Sequence, residues 1–497
     1  MDNEIITVDP WERIRKNPHY LFDYDDIRGV RSAFKGLLGV FSEEASGGHG
    51  EEIEVFLFAD SSFAIRLSSD RAMYLGEAGD EEAWKDRLLS LVYEGDRYNE
   101  FLFRKASTEF GKSYRIPCYD KTDIFPALAC NQCVTEFMNV CSKRGPNECA
   151  YAVNFRKGKS VSGLYESDSG ICGTFIHMKY DRDVFSDVAV SKEFFSEVLR
   201  EAAMLNTGIR YSLDIEDEDG ETVWQESYCY PSLTAYIEEI TAESRISPVF
   251  ECSRKLDGKD KATCKEEYTA KLCMGMAFTE NLSSVQCFYN EHRLCEGGTF
   301  LEQFYKHLCS HINFISLKND MYRSPITVSP EELKKHLAVV FNIRTVGCMP
   351  VWGDGKRDSL NNRMIAELVE DICSDEIEKF LYSNEGKMLD FISLIKEERS
   401  RREKENTFAQ RLETAIADYE NGKGKTNFLN CMMSAPKEEK VFKALREQLH
   451  KAACNTEPIY YYVLLKDFSE YITADILTEL RNEYIKNIDK SLPDFLL

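Results

Sequence analysis

Cys287-Phe-Tyr-Asn-Glu-His-Arg-Leu-Cys-Glu-Gly-Gly-Thr299-Phe, continuing as Leu-Glu-Gln-Phe-Tyr-Lys-His-Leu308, reads as a strand, a tight turn and a helix start. Gly297 and Gly298 admit backbone angles that a side chain would forbid. Thr299 with Glu302 predicts a capping box, which satisfies helix-start N–H groups in both directions. Phe300, Phe304, Leu308 and Ile312 recur at helical spacing and predict one apolar face. Downstream, Ser329-Pro-Glu-Glu332 predicts a second capping box with Pro at the first helical position. The apolar run Leu337-Ala-Val-Val-Phe-Asn-Ile343 predicts a buried strand.

The chain has 497 residues, room for two to four domains with real cores. Hydrophobic residues make up 43% and charged residues 30%, the balance of an ordinary soluble globular protein. No apolar run approaches a membrane span, and the start Met-Asp-Asn-Glu does not read as a signal peptide. Seventeen scattered Cys therefore predict reduced thiols in a cytoplasmic protein. A net charge of −23 argues against a broadly basic DNA-binding surface, though a local basic groove remains compatible with it.

The segment Glu296-Gly-Gly-Thr299-Phe300 resembles the E/D-G-G-T-H signature of the transducer domain in DNA gyrase B and topoisomerase IV subunits, with Phe300 in place of His. Other stretches follow in the family's order. Arg13-Ile-Arg-Lys-Asn-Pro18 resembles the entry segment of the ATPase domain; here Pro18 predicts the end of local helix and an extended exit. Glu43-Glu-Ala-Ser-Gly-Gly-His-Gly-Glu-Glu-Ile53 resembles D-E-A-x-A-G-x-x-x-x-I. Ala59-Asp-Ser-Ser-Phe63 resembles a family hairpin turn. Gly173-Thr174-Phe-Ile-His-Met resembles G-T-x-V-x-F, and Leu205-Asn-Thr-Gly-Ile resembles L-N-S-G-V. The resemblance covers residues 10–405. It implies a Bergerat-type (GHKL) α/β sandwich over 1–220, a gyrase-B-type transducer domain over 221–405 and a helical C-terminal tail over 406–497.

The same alignment implies that the catalytic chemistry is missing. Counting back from Glu43, Gly36 stands where the family has its water-activating Glu, and Val40 where it has its magnesium-binding Asn. Neither can take a proton or ligate a hard cation. Ser68 stands at the adenine-reading Asp and is a weaker acceptor. The family's phosphate-cradling G-G-L-H-G-V-G is replaced by Thr122-Asp-Ile-Phe-Pro-Ala-Leu-Ala129. There a Pro removes a donor and side chains obstruct backbone approach. Thr174 is the adenine-pocket residue that survives. In the loop where the family Lys reaches the γ-phosphate, Lys356 or Arg357 is the matching base.

Cys130-Asn-Gln-Cys133, with Cys141 and Cys149, invites a zinc reading. Its second pair has neither CxxC nor CxxH spacing, so buried thiols are the preferred reading. Residues 134–140 read as a helix, and 375–402 as one long helix leading out of the transducer. The tail lacks the E-G-D-S-A and D-x-D metal-binding motifs of a TOPRIM domain, and Gly424-Lys-Thr426 is not a P-loop because position 419 is Tyr.

These readings imply a gyrase-B-like pseudo-ATPase that binds other proteins or regulates a type II topoisomerase. Two alternatives stand beside it: a divergent ATP-hydrolysing topoisomerase subunit working with a separate cleavage subunit, and a structural dimer held by N-terminal arms. No cofactor and no metal are expected, with room for weak ATP binding through Ser68, Thr174, Lys356 and Arg357. The expected partner is a protein, such as a topoisomerase subunit or a second copy. DNA contact would be indirect or local, and no membrane contact is expected.

Overall fold

The computed structural model describes residues 14–22, 24–69, 131–143, 145, 147–168, 173–259, 267–319, 326–346, 350–353 and 358–420. Residues 88–99 and 122–129, Cys130, Lys356, Arg357 and the tail segments 440–449, 460–471 and 474–488 lie outside the described residues. The chain divides into two compact units, Met1–Ile392 and Ser393–Leu497.

The first unit opens with α1 (His19–Phe22) and α2 (Ile27–Ser46), then β1 (Glu52–Leu57) and β2 (Phe63–Ser68). After these come β3 (Thr135–Lys143), β4 (Ala150–Arg156), β5 (Lys159–Ser160), β6 (Tyr165–Ser167) and β7 (Gly173–Tyr180). Then follow α3 (Lys192–Leu205), β8 (Arg210–Glu216) and β9 (Thr222–Tyr228). The strands form one sheet in the order β5-β4-β3-β7-β2-β1-β8-β9, with β6 beside β4. β1 and β8 run parallel; β1 with β2, and β8 with β9, run antiparallel.

Pro18 does not force an extended exit: it sits at the head of α1, and Phe22 N–H donates to its carbonyl at 2.9 Å. Proline suits that place, because a first-turn N–H has no intrahelical partner to lose. Residues 135–143 form a strand rather than the expected helix. Thr135, Met138, Val140 and Ser142 are buried, and from Met138 onward they alternate with more exposed neighbours. That period-two pattern wins over the local helical reading once β4 and β7 flank the segment. The first sheet also runs past residue 220, because Gly220 is the turn of the β8–β9 hairpin and β9 ends at Tyr228.

Helices α2 and α3 form the core with this sheet. Asp26 caps α2 and Ser191 caps α3, each accepting a backbone N–H from the first turn. Phe34 of α2 meets Phe63 of β2 edge-on at 5.5 Å and Phe195 of α3 at 5.0 Å, and Phe63 meets Phe195 at 5.3 Å. Such tilted and edge-to-face pairs add to what ring burial already contributes. At the rim, Arg31 pairs with Glu197 at 2.7 Å, and Lys35 pairs with Glu201.

The second half begins with α4 (Leu233–Ile240), β10 (Phe250–Lys259), β11 (Glu267–Phe278), β12 (Ser284–Tyr289), β13 (His292–Arg293) and β14 (Gly297–Gly298). It continues with α5 (Thr299–Asn319), α6 (Pro330–Lys335), β15 (Leu337–Val346) and β16 (Ser359–Leu360). It closes with α7 (Arg363–Ile372), a π-helical turn (Cys373–Ile377), α8 (Glu378–Ser383) and α9 (Glu385–Glu420). Its main sheet has the order β10-β11-β15-β12-β13. β12 pairs parallel with β15, so α5 and α6 make the crossover that parallel strands require. The capping box at Ser329 and Glu332 is present in both directions.

The box expected at Thr299 is not made. Gly297 and Gly298 pair with Ser359 and Leu360 in a short parallel ladder, which brings Asn361 to the start of α5. Asn361 Oδ1 accepts the Thr299 N–H at 3.3 Å, and Thr299 Oγ1 is buried without a partner. Gly298, with φ +133°, lies so close that an added Cβ would stand 2.0 Å from the Leu360 carbonyl oxygen. The two glycines therefore serve close backbone approach rather than a free turn. The single helix expected over 375–402 is interrupted as well. The π-helical turn stands between α7 and α8, and Asn384, whose side chain donates to the Phe380 carbonyl at 2.8 Å, separates α8 from α9.

Candidate functional site

In the resemblance, the site would lie between α2 and the sheet near β2 and β7. Every residue from Gly36 through Ser42 on α2 is buried. Gly36 and Val40 fall one turn apart on this helix, and Val40 is 4% exposed. One turn earlier, the Ala33 carbonyl accepts Asn131 Nδ2 at 3.0 Å, and Asn131 Oδ1 accepts the Tyr180 hydroxyl at 2.9 Å. Burial pushes the Tyr180 hydroxyl far above its ordinary pKa, so it stays a neutral donor.

Thr174 lies on β7, buried, with its hydroxyl 2.9 Å from Ser142 Oγ of β3. The ladder places Thr174 opposite Leu67, while Ser68 stands opposite Gly173. Directly opposed residues share a sheet face and successive residues alternate. The position that shares a face with Thr174 is thus Leu67, which is fully buried.

Magnesium–ATP binding in the family pattern needs a hard oxygen ligand, a base for water and an acceptor for the adenine amine. Gly36 and Val40 supply hydrogen and hydrocarbon where the resemblance has the base and the metal ligand, and Ser68 stands where it has the adenine-reading acid. The described side chains do not fit that group. The Thr174 hydroxyl, which the resemblance assigns to the adenine pocket, is engaged with Ser142. The other two predicted residues, Lys356 and Arg357, fall in the short segment between Gly353 and Asp358, outside the described residues.

The zinc candidates are spread over different settings. Cys133 is buried and its carbonyl accepts Arg15 Nη1 at 2.8 Å; Cys141 lies on β3, and Cys149 is exposed. No cluster of three or more His, Cys, Asp or Glu suited to a metal occurs among the described residues. Burial pushes the Cys252, Cys287, Cys309 and Cys373 thiols up to about 12, which keeps them protonated and weakly nucleophilic.

Two polar clusters escaped the sequence reading. At the entry segment, Arg15 pairs with Asp181, and Lys157 Nζ lies 2.6 Å from Asp183. Where the two sheets meet, Asn342 and Arg344 of β15 reach the end of α3, and Glu291 joins them. The Leu205-Asn-Thr-Gly stretch marked one side of that junction in the sequence. Nothing local marked its partners more than eighty residues away.

Comparison with known proteins agrees with this architecture. Residues 232–410, which include the second sheet, match the family model for DNA gyrase B. The gyrase B subunit of Clostridium acetobutylicum is 21% identical over 388 residues, covering 77% of this chain and 56% of its own length. That of Staphylococcus aureus is 23% identical over 390 residues, with the same coverage. The chain thus spans little more than half the length of these relatives. Among solved structures, the 43K ATPase domain of Thermus thermophilus gyrase B, in complex with an aminocoumarin, superposes with a TM-score of 0.54. That match has 17% identity and covers 79% of this chain and 97% of that one. The B subunit of Myxococcus xanthus gyrase gives 0.52 at 15% identity, covering 75% and 95%. No helix among the described residues is long and apolar enough to cross a membrane.

Proposed function

We infer that this chain, which is similar to gyrase B subunits, is a pseudo-ATPase of the GHKL group that acts by binding other proteins. The observation that carries the reading is the buried hydrocarbon at Gly36, Val40 and Leu67, beside a Thr174 hydroxyl already engaged by Ser142. ATP hydrolysis in this fold is a matter of positioning and charge stabilisation. A helix that buries Val40 where a metal ligand is needed has given up that chemistry in favour of packing. The gyrase B relatives suggest the class of partner: a type II topoisomerase subunit, or a second copy of this chain. The net charge of −23 favours a basic protein surface as the target over bare DNA.

The test is a coupled phosphate-release assay on wild type and Gly36→Glu, beside calorimetry with a non-hydrolysable ATP analogue. No turnover and no tight analogue binding are expected for either protein. Steady turnover by the wild type that disappears on Thr174→Val would establish the divergent ATPase subunit instead.

A further inference from the structure

The junction between the two sheets is built as a polar latch over a shared core. The hydrophobic core that holds Phe34 and Phe63 of the first half extends without a break to Ile237, Ala277, Phe288 and Val340 of the second. Above it, helix α3 ends with Asn206 as its C-cap, and the Leu205 carbonyl faces β15. That carbonyl belongs to the negative end of the helix dipole. Asn342 Nδ2 donates to it at 3.0 Å and Arg344 Nη2 at 3.2 Å. The same Arg344 nitrogen also donates to Asn206 Oδ1 at 2.5 Å and to Glu291 Oε1 at 3.4 Å.

Glu291 comes from a third element, the two-residue turn joining β12 and β13. Asn290 and Glu291 there adopt φ +46° and +63°, the left-handed pair a tight hairpin needs. The Glu291 carboxylate accepts from Asn206 Nδ2 as well, at 3.4 Å. The network continues into α2: Tyr211 lies against Asn206, and its hydroxyl donates to Ser42 Oγ at 2.8 Å. Asn342 Oδ1 is buried without a partner, a cost that the amide's bond to Leu205 has to offset.

We propose that Arg344, Asn206 and Glu291 form a built-in latch that holds the two sheets in one orientation without any ligand. The charge-assisted bonds fix direction, and the continuous core beneath removes the slip plane that a hinge between domains requires. The latch uses only this chain's own groups, so it stands independently of whether a nucleotide binds.

Hydrogen exchange followed by mass spectrometry on the full chain tests it. Arg344→Ala should speed exchange at 205–211 and 286–293 about tenfold or more, the loss expected for one charge-assisted hydrogen bond. The sheet interiors at 53–57 and 272–276 should keep their wild-type rates. Arg344→Lys, which keeps the charge but not the fork of donors, should fall between. Asn206→Ala, at a helix end, should open the same two segments if Arg344→Ala fails to fold. Uniform acceleration across both sheets would mean that Arg344 only stabilises the fold, and no change at 205–211 would mean that the latch holds nothing. Either result overturns the proposal. Adding a non-hydrolysable ATP analogue to the wild type should leave both segments unchanged. A response there would show that a ligand works the junction and would end the claim of independence. Tight analogue binding without such a response would count against the filled nucleotide site of the proposed function and leave the latch standing.

Discussion

The two sheets of the first unit keep the same architecture by different means. In the first half, the positions around α2, β2 and β7 that carry chemistry in the resemblance are filled with hydrocarbon, and the packing is intact. In the second half, Glu296, Gly297, Gly298 and Thr299 of the motif remain, with Phe300 in place of His, and the glycines are structural. Gly297 and Gly298 still lie against Ser359 and Leu360, and Ser329 still caps its helix. Replacing a catalytic acid with an apolar residue removes a function and leaves the core satisfied. Replacing a glycine that touches a carbonyl would break a contact that the fold needs. A site can therefore be lost while the frame around it persists.

The largest expected effect comes from reversing this difference. Leu67→Asp places a carboxylate opposite Thr174 and should cost about 4 kcal/mol or more, since it removes a buried side chain and inserts a buried charge. Denaturant unfolding measures the loss, and calorimetry should find no nucleotide binding gained. A variant as stable as wild type would mean that this face is polar and open, and the contrast between the halves would be gone.

Gly298→Ala comes next, at about 3 kcal/mol, because φ +133° and a Cβ 2.0 Å from the Leu360 carbonyl oxygen leave no strain-free arrangement. Gly386→Ala is its control: it lies in α9, and an added Cβ there meets nothing within 4 Å. It should stabilise by up to about 1 kcal/mol through helix propensity. Equal effects at the two positions would remove the claim that the Gly-Gly pair serves close approach. Ser329→Ala should cost about 1 kcal/mol, the usual worth of a capping side chain.

The smallest effect is a pH dependence at the β1–β2 turn. His177 Nε2 lies 3.0 Å from Ser62 Oγ, and burial lowers its pKa while Asp60 partly opposes the shift. A His whose folded pKa is depressed contributes stability at pH values above its unfolded pKa of about 6.5. That contribution is lost as pH falls through the lower folded value. Urea midpoints should decline below pH about 6.5 in the wild type, and less so in His177→Gln. An NMR titration placing His177 above 6.5 would contradict this.

The elements easiest to read in the sequence were those with local causes. Ser329 announces a helix by its capping box, and the apolar run Leu337–Ile343 a buried strand. The misreadings share one origin. Residues 135–143 became a strand because β4 and β7 lie on either side, and Thr299 lost its box because Asn361 arrived from about sixty residues away.

The residue pattern alone determined the order of the family-like segments and the absence of a base at Gly36 and of a metal ligand at Val40, since each depends on residue identity and short-range spacing. Tertiary structure alone decided which face each strand residue presents, which side chain caps α5, and that Arg344, Asn206 and Glu291 meet. Those outcomes depend on pairing between segments far apart in the chain. Sequence spacing carries no record of such distances until the sheets have formed.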